Sequence, residues 1–177
     1  MALTQVAAGL LAGSITSSQI TSVAASTLTG TQTIPRGTLP TGSVLQVVNA
    51  QSTTPTAVNN TATYSSLSLS ASITPSSATS KILVLLSVTG LSNNAAIAGV
   101  KIQRNGSDIR TYGFIGHFNA ATTIAYTSAM NYLDSPASTS ALTYSVLGNS
   151  TQGLTTFQYS DGNGTQVSSI TLMEIAA

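Results

Sequence analysis

At 177 residues, with 5% charged and 42% hydrophobic side chains and a net charge of +1, the chain is not a disordered polyampholyte. An average soluble domain carries roughly 25% charge, so solubility falls here to Ser, Thr, Asn and Gln. So neutral a surface excludes electrostatic recognition of nucleic acid, an anionic membrane or an acidic substrate, and the absence of cysteine excludes disulfides and thiol chemistry.

Residues 1–33 read as an extended arm. Leu3, Val6 and Leu10 have helical spacing, weakened by Gly9 and Gly13. "VAAGLLAG" lacks the preceding Lys or Arg of a secretory leader, so no leader is expected. Leu11, Ile15, Ile20, Val23 and Leu28 then recur irregularly among small polar residues, and no self-contained core can come from them. Two readings follow, a flexible linker or a segment whose sparse apolar residues dock in grooves of a neighbour. The second is preferred. Residues 34–43, "IPRGTLPTGS", form the linker, since paired prolines and glycines favour turns and exclude a helix.

From residue 44 to 177 the chain reads all-β. The expected strands are Val44–Asn49, Thr63–Ile73, Lys81–Thr89, Ile97–Arg104, Ser107–Tyr112, Thr122–Leu133, Ala141–Leu147, Thr155–Tyr159 and Gln166–Ile175. With turn signals between them at this spacing, they suit an antiparallel β-sandwich or jelly roll. Leu67, Leu69, Ala71 and Ile73 alternate with serines, which predicts one buried face. Pro75-Ser76-Ser77 turns the chain. The next strand is apolar on both faces, Ile82, Val84, Leu86 and Val88 on one and Leu83 and Leu85 on the other. The last strand shares this trait, with Ile170 and Leu172 opposed to Met173 and Ile175. A strand apolar on both faces needs cover on both, and a lone sandwich covers one. We therefore expect these two strands to be sheet neighbours, with Leu83, Leu85, Ile170, Leu172 and Met173 covered by further copies of the chain. The run Ile82–Leu86 is too short to span a bilayer.

Asn105-Gly106 predicts a type I′ hairpin. Its simplest register sets Ile102 opposite Ile109, Val100 opposite Thr111 and Lys101 opposite Arg110, a mild charge penalty. "DSPASTS" and "DGNG" are expected to close two more hairpins, with Asp134 and Asp161 as turn formers. "YGFIGHFNAATT" reads as a loop carrying Tyr112, Phe114, His117 and Phe118. These aromatics are read first as packing, and otherwise as a surface that stacks on sugars. His117 is the one histidine, so a metal site has no second imidazole on this chain unless a three-fold axis gathers copies. The four carboxylates, Asp108, Asp134, Asp161 and Glu174, fall in different elements, and neither a paired-acid site nor a GxSxG turn is visible. We expect no enzyme activity and no cofactor.

"LPTGSVLQVV", "SASITPSSATSKILVLLSV", "NYLDSPASTSALTYSV" and "SSITLMEIAA" together resemble the β-sandwich module shared by many tailed-phage virion proteins, notably of cyanophages, at fibre and tailspike tips and in head-decoration proteins. The resemblance covers Leu39 to Ala177 and implies a homotrimeric jelly roll similar to tumour-necrosis-factor-like folds. With so short an N-terminal extension, the implied role is an outer-capsid cement protein, its arm docking on the major capsid protein through Leu3, Val6, Leu10, Leu11, Ile15 and Ile20. The alternative is a tail fibre or tailspike tip recognising host surface polysaccharide through the Tyr112–Phe118 segment.

Overall fold

Among the described residues, period-2 patterning over much of the domain yields eight strands: β1 (Val44–Ser52), β2 (Thr56–Ile73), β3 (Lys81–Ser92), β4 (Ile97–Arg104), β5 (Ser107–His117), β6 (Ile124–Asp134), β7 (Leu142–Phe157) and β8 (Ser168–Ile175). The computed structural model describes residues 39–93, 95–117, 123–160 and 164–177, apart from the side chains of Phe114 and His117. The arm residues Leu3 to Ile20, and Phe118 and Asp161, lie outside the described residues.

All ladders are antiparallel, and their pairing is nested: β1 with β8, β2 with β7, β3 with β6 and β4 with β5. Two further ladders, β3 with β8 and β4 with β7, assemble these pairs into the groups β1-β8-β3-β6 and β2-β7-β4-β5. The groups meet at a corner, where Gly90–Ser92 of β3 pairs with Thr155–Phe157 of β7. One core lies between them. Val84, Leu86, Ile170 and Leu172 enter it from the first group, and Leu67, Leu69, Ile102 and Val146 from the second. The fold is thus an all-β antiparallel sandwich.

Side chains close the β5–β6 side, where Tyr112 Oη donates to Asn131 O and Ser128 Oγ to Ile115 O. Tyr126 faces inward from β6 beside two glycines. A Cβ on its cross-strand partner Gly90 would lie 2.5 Å from Tyr126 Oη, and one on Gly116 would lie 2.7 Å from the ring. Only glycine leaves room for that ring.

Several expectations need correction. β7 fuses the predicted strands Ala141–Leu147 and Thr155–Tyr159, because Gly148–Thr151 between them stays extended against Ile97–Val100 of β4. β2 begins earlier than predicted, as its polar start pairs with Leu154–Phe157. "DSPASTS" closes no hairpin but carries the chain from β6, on β3, to β7, on β2 and β4. Ser160 and Thr165 do form an antiparallel bridge around "DGNG". The β4–β5 hairpin turns at Asn105 and Gly106, both at positive φ, but a bulge at Ile109 shifts the register to Ile102 opposite Arg110 and Val100 opposite Tyr112. Lys101 is thereby freed from Arg110 and bonds Asp108 at 2.7 Å.

Candidate functional site

The outer face of β1-β8-β3-β6 is the candidate interaction surface. Because side chains alternate, placing Ile82, Val84, Ile170 and Leu172 in the core turns Leu83, Leu85 and Met173 outward. Ladder registers then align one outward residue from each strand. Val47 pairs with Met173, Met173 with Leu83, and Leu83 with Leu133, making an apolar row across the whole sheet. Val47 remains 54% exposed, Leu133 51% and Leu85 40%. Beside this row, Leu85, Ser87, Ala129, Asn131, Ser169 and Thr171 line a depression of about 290 Å³. Lys81 stands at the end of this face, its Nζ 3.1 Å from Ser135 Oγ. Exposed aliphatic side chains in an aligned row, beside small side chains and with charge only at the margin, are what protein association uses.

Of the five residues expected on this face, Leu83, Leu85 and Met173 are there. Ile170 and Leu172 are not: both are 0% exposed, within the chain's own core. Sequence reasoning missed Val47 and Leu133. Each has an apolar chain neighbour, Val48 or Tyr132, so the local pattern does not say which of the two faces out, and only the ladder register brings Val47 and Leu133 into line with Leu83 and Met173.

The aromatic segment is also re-assigned. Tyr112 to His117 belongs to β5 and pairs with β4, so it is strand and not loop. Tyr112 is half-buried and directed to the β6 backbone.

Each described carboxylate has a structural partner. Asp108, exposed, accepts from Lys101 and Gln103, and those contacts hold its carboxyl below the usual range. Asp134 is buried, not a solvated turn residue: its Oδ2 accepts from Arg104 Nη1 and from Tyr144 Oη, each at 2.7 Å. Burial raises the Tyr144 pKa, and the hydrogen bond and charge of Asp134 raise it further. Glu174 is buried too. Its Oε1 accepts from the Ser76 amide at 2.7 Å and the Ser76 hydroxyl at 2.6 Å, and its Oε2 from Gln46 Nε2 at 2.6 Å. Burial would raise the Glu174 pKa, but these bonds outweigh it and hold the carboxyl below its ordinary value. Among the described residues, no three His, Cys, Asp or Glu side chains are grouped to hold a metal.

Among the described residues, two further concavities lie away from this face. One of about 310 Å³ lies near Glu174, lined by residues that include Leu45, Ser76, Ser80 and Ala176. The other, about 330 Å³, is lined by Tyr64, Ile97, Gly99, Gly113, Asn149, Thr151 and Gln152. It is built on β2, β4, β5 and β7, the second group of strands.

No family model matches the chain, and no curated protein does. Among solved structures it is similar to that of infectious bursal disease virus Gx strain, with 13% identity and a TM-score of 0.40 over 75% of this chain and 37% of that one. It is likewise similar to the Gt strain structure, with 14% identity and a TM-score of 0.37 over 76% and 39%. The chain thus spans well under half the length of these neighbours.

Proposed function

We propose that the protein is a virion structural protein, an outer-capsid cement protein of a tailed phage. Its sandwich assembles as a homotrimer, and residues 1–33 dock on the major capsid protein. The nested pairing β1–β8, β2–β7, β3–β6 and β4–β5 supports reading the sandwich as a jelly roll, a single long hairpin rolled over a core. The trimer number and the virion role come from the resemblance of the four sequence segments quoted above.

The observation that carries the reading is the apolar row Val47–Met173–Leu83–Leu133 with Leu85 beside it. Full burial of such side chains is worth ~1.5–3 kcal/mol each. Covering the exposed halves of Val47 and Leu133 and two-fifths of Leu85 therefore adds about 1 kcal/mol apiece in every protomer. Protruding Val47 and Leu133 beside a depression of small side chains also supply knob and socket on one surface, which suits a second copy.

Sedimentation velocity at micromolar concentration tests this. The wild-type chain is expected to run as a trimer, and the double variant Leu85→Glu, Leu133→Glu as a folded monomer. A monomeric wild type overturns the assembly reading. Deleting residues 1–33 is expected to leave a soluble trimer that no longer coats capsids, and undiminished coating overturns the docking role. The second reading, a fibre or tailspike tip recognising host polysaccharide, gains support from the cavity at Tyr64 on the other group of strands. Densitometry of intact particles separates the two, hundreds of copies for cement and a handful for a tip.

A further inference from the structure

We infer that Asn105-Gly106, at the tip of the β4–β5 hairpin, is a latent deamidation site that the first residues of β7 hold shut. An asparagine followed by glycine is the pair at which a main chain deamidates most readily, because glycine leaves the attacking nitrogen unshielded. The Gly106 nitrogen attacks Cγ of Asn105, the new C–N bond closes a succinimide ring, and the side-chain nitrogen leaves as ammonia. Water then opens the ring. Addition at the side-chain carbonyl gives aspartate, and addition at the main-chain carbonyl gives isoaspartate. The turn favours the same two residues because both accept positive φ, here 49° and 82°, so the sequence best suited to the turn is also a reactive one.

Solvent access alone would leave the site open. Asn105 and Gly106 are both exposed, and nothing lies within 4 Å of a Cβ built on Gly106. The carboxamide, however, is engaged. Asn105 Oδ1 accepts from the Thr143 amide at 2.8 Å, and the Asn105 amide donates to Thr143 O at 2.9 Å. Asn105 thus pairs with Thr143 as a strand neighbour would, with its side-chain carbonyl in place of a main-chain one. Thr143 is itself fixed in β7 opposite Ser72 of β2, their hydroxyl oxygens 2.8 Å apart. Ring closure needs Cγ to swing onto the Gly106 nitrogen, and that movement breaks the bond to Oδ1. It also draws Asn105 out of the left-handed turn conformation that its amide bond to Thr143 O supports. An ordinary hydrogen bond is worth about a factor of five, so two should slow the reaction in the fold by roughly 30-fold. Once formed, isoaspartate would add a main-chain carbon to the two-residue loop that sets Arg104 opposite Ser107.

The site shares no residue with the apolar row on β1-β8-β3-β6, so it stands or falls separately from trimer assembly. The test holds the full chain at mildly alkaline pH, native or in concentrated urea, and follows the aspartate and isoaspartate peptides by mass-spectrometric mapping. The chain's other Asn-Gly pair, Asn163-Gly164, is the reference for reactivity in urea. Both pairs are expected to react in urea, and Asn105 roughly 30-fold more slowly in the native chain than in urea. Both main-chain groups of Thr143 point to Asn105, so Thr143→Pro removes the donor to Oδ1 and no ladder bond to β2. In that variant, with folding checked by thermal unfolding, native loss of Asn105 should quicken by about fivefold. If the variant does not fold, exchange of the Thr143 amide in the wild type takes its place. Urea added below the unfolding transition should then speed exchange and deamidation in step. A native rate at Asn105 equal to its rate in urea, no change in folded Thr143→Pro, or deamidation independent of Thr143 exchange overturns the inference.

Discussion

Removing the carboxylate of Asp134 should destabilise the fold through two groups at once. Its Oδ2 is the acceptor for both Tyr144 Oη and Arg104 Nη1, each at 2.7 Å, and it ties the end of β6 to β4 and β7 in the other group of strands. In Asp134→Ala the Tyr144 hydroxyl, on a residue 0% exposed, loses its acceptor, at a cost of roughly 1–3 kcal/mol. The Arg104 side chain is 29% exposed and regains water, so its lost ion pair adds only about 0.5–1 kcal/mol. The total is about 2–4 kcal/mol, or a fall in Tm of roughly 5–15 °C for a chain of this size. Urea unfolding at one fixed protein concentration measures it, since self-association would otherwise move the midpoint. Tyr144→Phe removes the hydroxyl in advance, so in that background Asp134→Ala should cost about 1–2 kcal/mol less. Equal costs in both backgrounds, or a loss below about 0.5 kcal/mol from Asp134→Ala alone, would refute the assignment of Asp134 as a shared buried acceptor.

Glu174 supplies an acid-limb prediction. Its folded pKa is lowered, so the stability it contributes is present above the ordinary value of 4.5 and is lost as pH falls through the lowered folded value. Glu174→Gln, which sets an amide against the Ser76 donors, should cost about 1–3 kcal/mol at neutral pH, with the gap to wild type closing in urea titrations below pH 4.5. Tyr126 is pushed up to about 12 by burial, against the nearby Ser92 and Thr155 hydroxyls. Stability should therefore fall as pH rises from the ordinary tyrosine value of 10 through 12, and Tyr126→Phe should remove that part of the alkaline loss in pH-dependent melts. Gly116→Ala should destabilise by about 1–3 kcal/mol, because its Cβ would sit 2.7 Å from the Tyr126 ring, and Tyr126→Leu in the same chain should restore part of the loss. Gly106→Ala places a Cβ at φ +82 in the β4–β5 turn and should cost about 1 kcal/mol by denaturant unfolding, with no change in the outer face.

The sequence by itself determined the class of fold and much of the strand content. Alternation at Leu67, Leu69, Ala71 and Ile73 and the double-faced run from Ile82 to Val88 are local patterns, and a period of two can be read without knowing any partner strand. It also indicated that β3 and β8 belong side by side, since both carry apolar residues on both faces. Only the tertiary structure decided which face of β8 turns inward. Ile170 and Leu172 are as greasy as Met173 and Ile175, and the choice depends on register against β3 and on the volume left inside the sandwich. The same is true of Asp134, a turn former by its neighbours in sequence but a buried acceptor once Arg104 and Tyr144 arrive from strands elsewhere in the chain. The row Val47–Met173–Leu83–Leu133 and the Tyr64 cavity join residues far apart along the chain. Their bulges and cross-strand registers are settled by ladders between distant strands and one shared core, and no local pattern encodes such long-range pairing.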